Sequence, residues 1–197
     1  MASRYLPEWL TMLVTHGAGR VVIVPGGGLF ADQVRRAQRQ WNFNDTTAHK
    51  MALRAMEQYG LMLLSLQSLF YPAASINAIY NIINKGQIPI WFPYHMVADN
   101  SEIEATWEIT SDSLSLWLAE TLNCRNLIIV KSTSPRNGDY SAKLLSENGF
   151  LDKAFADMVI NTRVKTYWLS HEQLEDFSNL LNSENYPSPA VAMIKYN

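Results

Sequence analysis

Three consecutive glycines, Gly26, Gly27 and Gly28, follow a short β-branched run and precede a helical pattern. Glycines accept positive φ and let backbone N–H groups approach an anion, and the following helix adds the positive end of its dipole. The segment is therefore typical of a loop that binds a phosphorylated or acidic ligand. A tight strand-to-helix turn without a ligand gives the same local pattern, so a second motif is needed to indicate a function.

An acidic residue at a predicted helix start forms the second motif. The segment Trp107-Glu108-Ile109-Thr110-Ser111-Asp112-Ser113 leads into a helical pattern and then into the apolar run Leu127-Ile128-Ile129-Val130. Asp112 or Thr110 could simply be the helix cap, since Asp and Thr are common at that position. Taken together with the glycine loop, the segment contributes to a resemblance to a known family, which is given below.

Asp45 and His49 form a third candidate pair. They lie one helical turn apart on the same face, near the start of a predicted helix, and could bind an amine or hydroxyl of a ligand. The alternative is an Asp cap beside a partly exposed histidine.

The composition indicates the number of domains and the kind of ligand. The chain has 197 residues, of which 48% are hydrophobic, and its 16 Lys and Arg nearly balance 18 Asp and Glu. This predicts one globular domain, and because the cations form no stripe with interleaved aromatics, it disfavours nucleic acid and favours a small-molecule ligand. We also expect no membrane segment, because no apolar run is long enough to span a bilayer.

The single cysteine, Cys124, has no partner for an internal disulfide and no neighbour at metal-ligand spacing. It suits a reducing compartment and disfavours a zinc site. Together with the absence of a signal-peptide pattern, this predicts a cytoplasmic protein.

Alternating periodicities predict an α/β protein: a three-layer α/β/α sandwich with a mainly parallel central sheet. The predicted helices cover 6–13, 30–37, 48–59, 76–83, 112–122, 153–160 and 171–181. The predicted strands cover 20–24, 88–92, 127–130, 164–169 and 190–194. The strand over 127–130 is expected to be fully buried. Because parallel sheets collect their loops at one edge, we expect the glycine loop and Asp112 to face one cleft.

A stripe of small residues on the predicted helix over 48–59, including Ala48, Ala52 and Ala55, would let two helices approach closely. It predicts a homodimer. The same stripe could instead face the sheet of its own subunit.

Three blocks occur in order along the chain: Val24-Pro-Gly-Gly-Gly-x-Phe-Ala-Asp32, Asp45-x-Thr-Ala-His-x-Met-Ala52 and Trp107-x-Ile-Thr-Ser-Asp-Ser113. Together they resemble the amino acid kinase family, and within it the branch of aminomethylfuran methyl phosphate kinases of methanofuran biosynthesis. The resemblance extends from about Leu6 onward and is tightest up to Val130. It implies one amino acid kinase-like domain over 1–197, with an acceptor-binding half to about residue 130 and a nucleotide-binding half over 131–197.

The resemblance also implies the activity: ATP-dependent transfer of a phosphoryl group, with Mg2+, to a carboxylate or phosphate acceptor such as an aminomethylfuran phosphate in one-carbon cofactor biosynthesis. It implies a homo-oligomer and no metal held by the protein alone. The implied catalytic residues are Asp112 and Lys153. The implied substrate-binding residues are Gly26, Gly27, Gly28, Asp45, His49 and Trp107. The implied nucleotide-binding residues are Thr110, Ser111, Lys131 and Ser132.

The chain departs from the family pattern in two places. It has Lys131-Ser132-Thr133 where the family often has Thr-Asp-Val, and its first helix is not preceded by the strand Lys-x-Gly-Gly-Ser, leaving Arg4 as the nearby cation. Because that lysine neutralises the transferring phosphoryl group in the family, we expect at most trace phosphotransfer by this sequence. Either a start codon assigned too far downstream or a shortened, ligand-binding protein would explain the difference.

Two other function classes are alternatives to a kinase. A dinucleotide-binding oxidoreductase would need G-x-G-x-x-G and an acid at the end of the next strand, and the sequence has neither. A family member that binds its ligand or a partner without transferring phosphate is the stronger alternative.

Overall fold

The computed structural model of the chain describes residues 4–135, 138–182 and 191–196. These residues form two compact units. The first unit comprises Leu13–Trp107, and the second comprises the described residues up to Met12 together with those from Glu108 onward. The chain opens with helix α1 (Leu6–Gly17), as its i, i+3, i+4 pattern predicts. Nowhere in the described ranges does a helix combine the length and apolarity needed to cross a membrane.

The first unit packs helices around a small parallel sheet. Its elements are α2 (Gly28–Trp41), α3 (Asp45–Leu64), β1 (Phe70–Ala73), α4 (Ile76–Ile83), β2 (Ile88–Trp91) and α5 (Tyr94–Val97). Strands β1 and β2 pair in parallel, with Phe70 opposite Ile88. Strand β2 is buried along its whole length, as its continuous apolar sequence predicts. The sequence reasoning missed β1 and α5, both of which are four residues long.

The predicted strand over 20–24 is wrong in extent, because it is reduced to a single bridge. The Ile23 amide donates to the Pro89 carbonyl at 2.9 Å, and the Trp91 amide donates to the Ile23 carbonyl at 2.8 Å. The next bonds of a parallel ladder would need N–H groups at Pro25 and Pro89, and proline has none. Two prolines therefore limit the ladder to one residue.

The second unit contains the remaining elements. They are α6 (Ser111–Thr121), β3 (Asn126–Lys131), α7 (Ala142–Glu147), α8 (Lys153–Ile160), β4 (Lys165–Ser170), α9 (Leu174–Asn182) and β5 (Ala192–Met193). The strand order is β3-β4-β5, with β3 parallel and β5 antiparallel to β4. Ala190, the first residue of the predicted last strand, lies outside the described residues. The described strands thus fall into two sheets, one in each unit, and parallel pairing predominates.

Strand β3 is less buried than its apolar sequence predicts. Ile129 is buried, whereas Val130 is 42% exposed. The reason is that β3 lies at the edge of its sheet and pairs with β4 on one side only. The core of this unit instead forms between α6, α7, α8 and β4, where Phe155, Val159 and Trp168 are almost fully buried.

The small-residue stripe of α3 faces mostly into its own unit. Ala48 is 1% exposed and Ala55 3% exposed, whereas Ala52 is half-buried and Met51 exposed. Ala48 and Ala55 are therefore not available to a second copy. This matches the alternative that the stripe packs within its own subunit, and the homodimer itself stays a prediction.

Candidate functional site

The glycine loop leads directly into α2, and two of its positions require glycine. Gly28 has φ +48°, and a Cβ there would lie 2.6 Å from the ring of Tyr59. A Cβ on Gly27 would lie 2.5 Å from the Cβ of Ala31. Gly27 occupies the N-cap position of α2, and no side chain in the described part of the molecule caps this helix. The first-turn N–H groups of α2 thus lack a side-chain acceptor, which is the arrangement that binds anions at helix N-termini.

Gln38 joins two of the predicted acceptor-binding residues within the first unit. Its Nε2 donates to Oδ1 of Asp45 at 2.8 Å, and its Oε1 accepts from Nε1 of Trp107 at 2.6 Å. The Arg35 guanidinium lies 4.5 Å from the centre of the Trp107 ring, on the same helix as Gln38. Asp45, Trp107 and Arg35 therefore form one hydrogen-bonded and stacked cluster.

Sequence reasoning missed Gln38 and Arg35. Both belong to the polar, arginine-rich face of α2, which is typical of a solvated helix surface. The one available signal was their spacing, because residues three apart on a helix lie on the same face and could serve the same neighbour.

His49 is more deeply placed than predicted. The alternative of an Asp45 cap is wrong, because Oδ1 of Asn44 accepts from the Thr47 amide at 2.8 Å and caps α3. His49 is 6% exposed, and its Nε2 has no hydrogen-bond partner among the described residues. Burial lowers the pKa of His49 below its ordinary value, and the charge of Lys50 lowers it further. The imidazole is thus neutral, with one ring nitrogen available to a ligand or water.

In the second unit, the structure brings together Asp112, predicted to be catalytic, and Lys131, predicted to bind nucleotide. The Lys131 ammonium lies 2.8 Å from Oδ1 and 2.7 Å from Oδ2 of Asp112. Burial raises the pKa of Asp112, and the charge of Lys131 acts against that rise. The Asp112 carboxylate is therefore directed to Lys131 and does not act as a simple cap.

Asp152 fills the capping role. Its Oδ2 accepts from the Thr110 amide at 2.8 Å, the Thr110 hydroxyl at 2.9 Å and the Ser113 amide at 3.0 Å. Its Oδ1 accepts from the Ser113 hydroxyl and, at 3.1 Å, from the Phe155 amide. Asp152 thus caps α8 and also holds the start of α6. Thr110 is predicted to bind nucleotide, but both its amide and its hydroxyl donate to this carboxylate.

The other predicted nucleotide-side residues are more dispersed. Lys153, predicted to be catalytic, pairs with Glu108 at 3.0 Å, and both side chains are well exposed. Ser111 is half-buried and Ser132 is exposed. Lys153 therefore has a partner other than the Asp112–Lys131 pair.

Alternating helices and parallel strands, a glycine loop at one helix start and an acid at another are the features of an α/β protein that could bind a phosphorylated or acidic ligand. The chain belongs to the amino acid kinase family, whose family model matches residues 6–135. The family prediction is confirmed.

The chain is similar to a curated protein in sequence and to a solved structure in fold. The [5-(aminomethyl)furan-3-yl]methyl phosphate kinase of Methanocaldococcus jannaschii is 31% identical over 113 residues, which are 56% of this chain and 50% of that protein. The chain thus matches about half the length of this curated relative. The uridylate kinase from Archaeoglobus fulgidus superimposes with a TM-score of 0.65 at 15% identity, covering 88% of this chain and 87% of that one. This similarity confirms the predicted amino acid kinase-like α/β sandwich.

Proposed function

We propose that this protein is an ATP-dependent small-molecule kinase. The observation that carries the proposal is the Gly26–Gly28 loop, which opens α2 at an N-terminus without a side-chain cap. In phosphoryl transfer the protein mainly positions the reactants and stabilises charge on the transferring group. When bound, Mg2+-ATP would supply that group, and the first-turn N–H groups of α2 would stabilise its negative charge.

The proposed acceptor is a small molecule with an amine and a phosphate or carboxylate, similar to the aminomethylfuran phosphate named for the archaeal relative. The Asp45 carboxylate suits an ammonium group, and the Arg35 guanidinium suits an anion. Trp107 offers an aromatic surface already fixed by Gln38. Neutral, buried His49 adds a hydrogen-bonding nitrogen with no partner among the described residues.

On the nucleotide side, we assign Lys131 to a phosphate of ATP and Asp112 to holding that lysine in place. Lys153, Ser111, Ser132 and Thr110 complete the proposed set, with Thr110 acting through its contacts to Asp152. Within the described ranges, no three His, Cys, Asp or Glu residues gather as a metal site. A Mg2+ ion bound with ATP would take its ligands from phosphate oxygens, water and one or two carboxylates, as is usual for this ion.

One further part of the proposal follows from the family: the protein forms a homo-oligomer. This part is not needed for the acceptor assignment, so it can fail separately.

The test is transfer of labelled phosphate from ATP, with Mg2+, to a panel of amine-bearing phosphates and carboxylates. The protein is compared with its Asp112→Asn variant. Turnover that Asp112→Asn abolishes would support the proposal. ATP binding without transfer to any acceptor would favour the non-catalytic alternative.

A further inference from the structure

The Asp152 carboxylate is saturated with hydrogen bonds. Five donors from Thr110, Ser113 and Phe155 approach its two oxygens, which offer about four lone-pair sites. Two helix N-termini, those of α6 and α8, thus share one negative charge, and each helix dipole favours it there. A carboxylate occupied in this way has no lone pair left for a proton, a metal ion or a ligand.

The consequence for Asp112 is direct. An aspartate in the first turn of a helix ordinarily serves that helix, through its backbone amides or its dipole. Here Asp152 already accepts from the Thr110 and Ser113 amides, and both oxygens of Asp112 contact Lys131 instead. At the start of α6, the Asp152 carboxylate therefore caps the helix, and the Asp112 carboxylate is left to contact Lys131.

We propose that Asp152 is a positioning residue, which fixes the Thr110–Ser113 turn so that the Asp112 carboxylate meets Lys131. The catalytic importance of this role rests on the proposed function, but the geometric role does not. A second contact set supports it: the Ala154 amide donates to the Glu108 carbonyl at 3.0 Å, and the Ser146 hydroxyl donates to the Asp152 carbonyl at 3.0 Å. The start of α8 is thus tied both to the segment before α6 and to α7.

The test measures the coupling between Asp112 and Lys131 with and without Asp152. The pKa of the Asp112 carboxyl is followed by carbon NMR in the wild type, Lys131→Met, Asp152→Asn and the double variant. Lys131→Met should raise the pKa of Asp112, because a buried carboxylate loses its cation. In the Asp152→Asn background this rise should fall to less than half. A rise of the same size in both backgrounds would overturn the proposal.

Two further variants keep the test decisive. Thr110→Val with Ser113→Ala removes two hydroxyl donors while leaving Asp152 in place, and it replaces Asp152→Asn if that variant does not fold. Val159→Ala, which removes buried methyl groups from the same unit, should lower stability but leave the coupling unchanged. A coupling lost equally in Val159→Ala would show that any destabilisation suffices, against a positioning role.

The measurement separates this inference from the proposed function, because it needs neither ATP nor an acceptor. Loss of coupling in a protein that binds no ATP would support positioning and contradict the kinase assignment. If the protein does turn over, Asp152→Asn should lower kcat at least tenfold with little change in the KM of the acceptor. An unchanged kcat would contradict a positioning role in catalysis.

Discussion

The Lys131 ammonium contacts both carboxylate oxygens of Asp112, at 2.8 and 2.7 Å, although the two residues are 19 positions apart. The turn between α6 and β3 returns the chain so that the end of the strand meets the start of the helix. Such charge-assisted contacts are the stronger kind of hydrogen bond. Because Asp112 is largely buried, its charge is stabilised chiefly by this cation, and a backbone hydrogen bond from Asp152 adds to that effect.

Lys131→Met should destabilise the protein by about 1–3 kcal/mol near neutral pH, because it leaves a buried carboxylate without its partner. The pKa of Asp112, already raised by burial, should rise further. A raised pKa lets the folded state bind a proton more tightly than the unfolded state, so the loss should shrink as the pH falls. Urea unfolding near pH 7 and about pH 4 measures both effects.

The matched control for this pair is the double variant Asp112→Asn with Lys131→Met, which removes both charges. It should recover part of the lost stability and show a weaker pH dependence than Lys131→Met alone. A loss that is equal at both pH values would mean that the Asp112 charge is not what destabilises the single variant.

Gln38→Leu should weaken acceptor binding while preserving the fold. It removes the amide that bonds both Asp45 and Trp107, at a cost in stability of about 1–2 kcal/mol. We expect the KM of the acceptor to rise about tenfold, equivalent to ~1.4 kcal/mol, with kcat little changed. The Trp107 indole N–H resonance, which should shift on loss of its acceptor, gives a readout without turnover. Gln40→Leu, at an exposed position of the same helix, is the control and should change neither quantity.

The sequence allowed the regular elements and the candidate motifs to be predicted, because these depend on local patterns. Strand β2 and helices α3, α4 and α8 follow from periodicity and capping residues near them in the chain. The shortening of the strand at Ile23 was hidden because it depends on Pro89, which lies far along the chain in the pairing strand.

The site partners were hidden for a similar reason. Gln38 contacts Trp107 across 69 positions, and Asp152 contacts Thr110 across 42. Gln38 lies on a polar helix face and Asp152 at a helix start, where such residues are common without any function. Their roles become visible only when the tertiary structure shows which donors they meet.

Gly27→Ala should disturb the glycine loop through a steric contact that a second change can relieve. The added Cβ would lie 2.5 Å from the Cβ of Ala31, so the single variant should be destabilised. Ala31→Gly in the double variant removes that contact, at a helix-propensity cost of about 1 kcal/mol. If the loop backbone closely approaches a phosphate, ATP affinity measured by calorimetry should stay reduced in the double variant. Full recovery of affinity together with stability would assign the defect to packing alone.

His49 should make the stability of the protein depend on pH on the acid side of neutrality. Burial lowers the pKa of His49, whereas in the unfolded chain a histidine titrates near its ordinary value of about 6.5. As the pH falls below that value, the unfolded state takes up a proton that the folded state resists, so stability falls by up to about 1.4 kcal/mol per pH unit. His49→Gln should flatten the fall in unfolding free energy between about pH 7 and pH 5. His95→Gln, which removes an exposed histidine of the same unit, controls for the loss of a histidine as such. If the unfolding free energy of His49→Gln depends on pH as steeply as that of the wild type, the buried imidazole has a hydrogen-bond partner in solution. Its Nε2 is then not available to a phosphoryl acceptor.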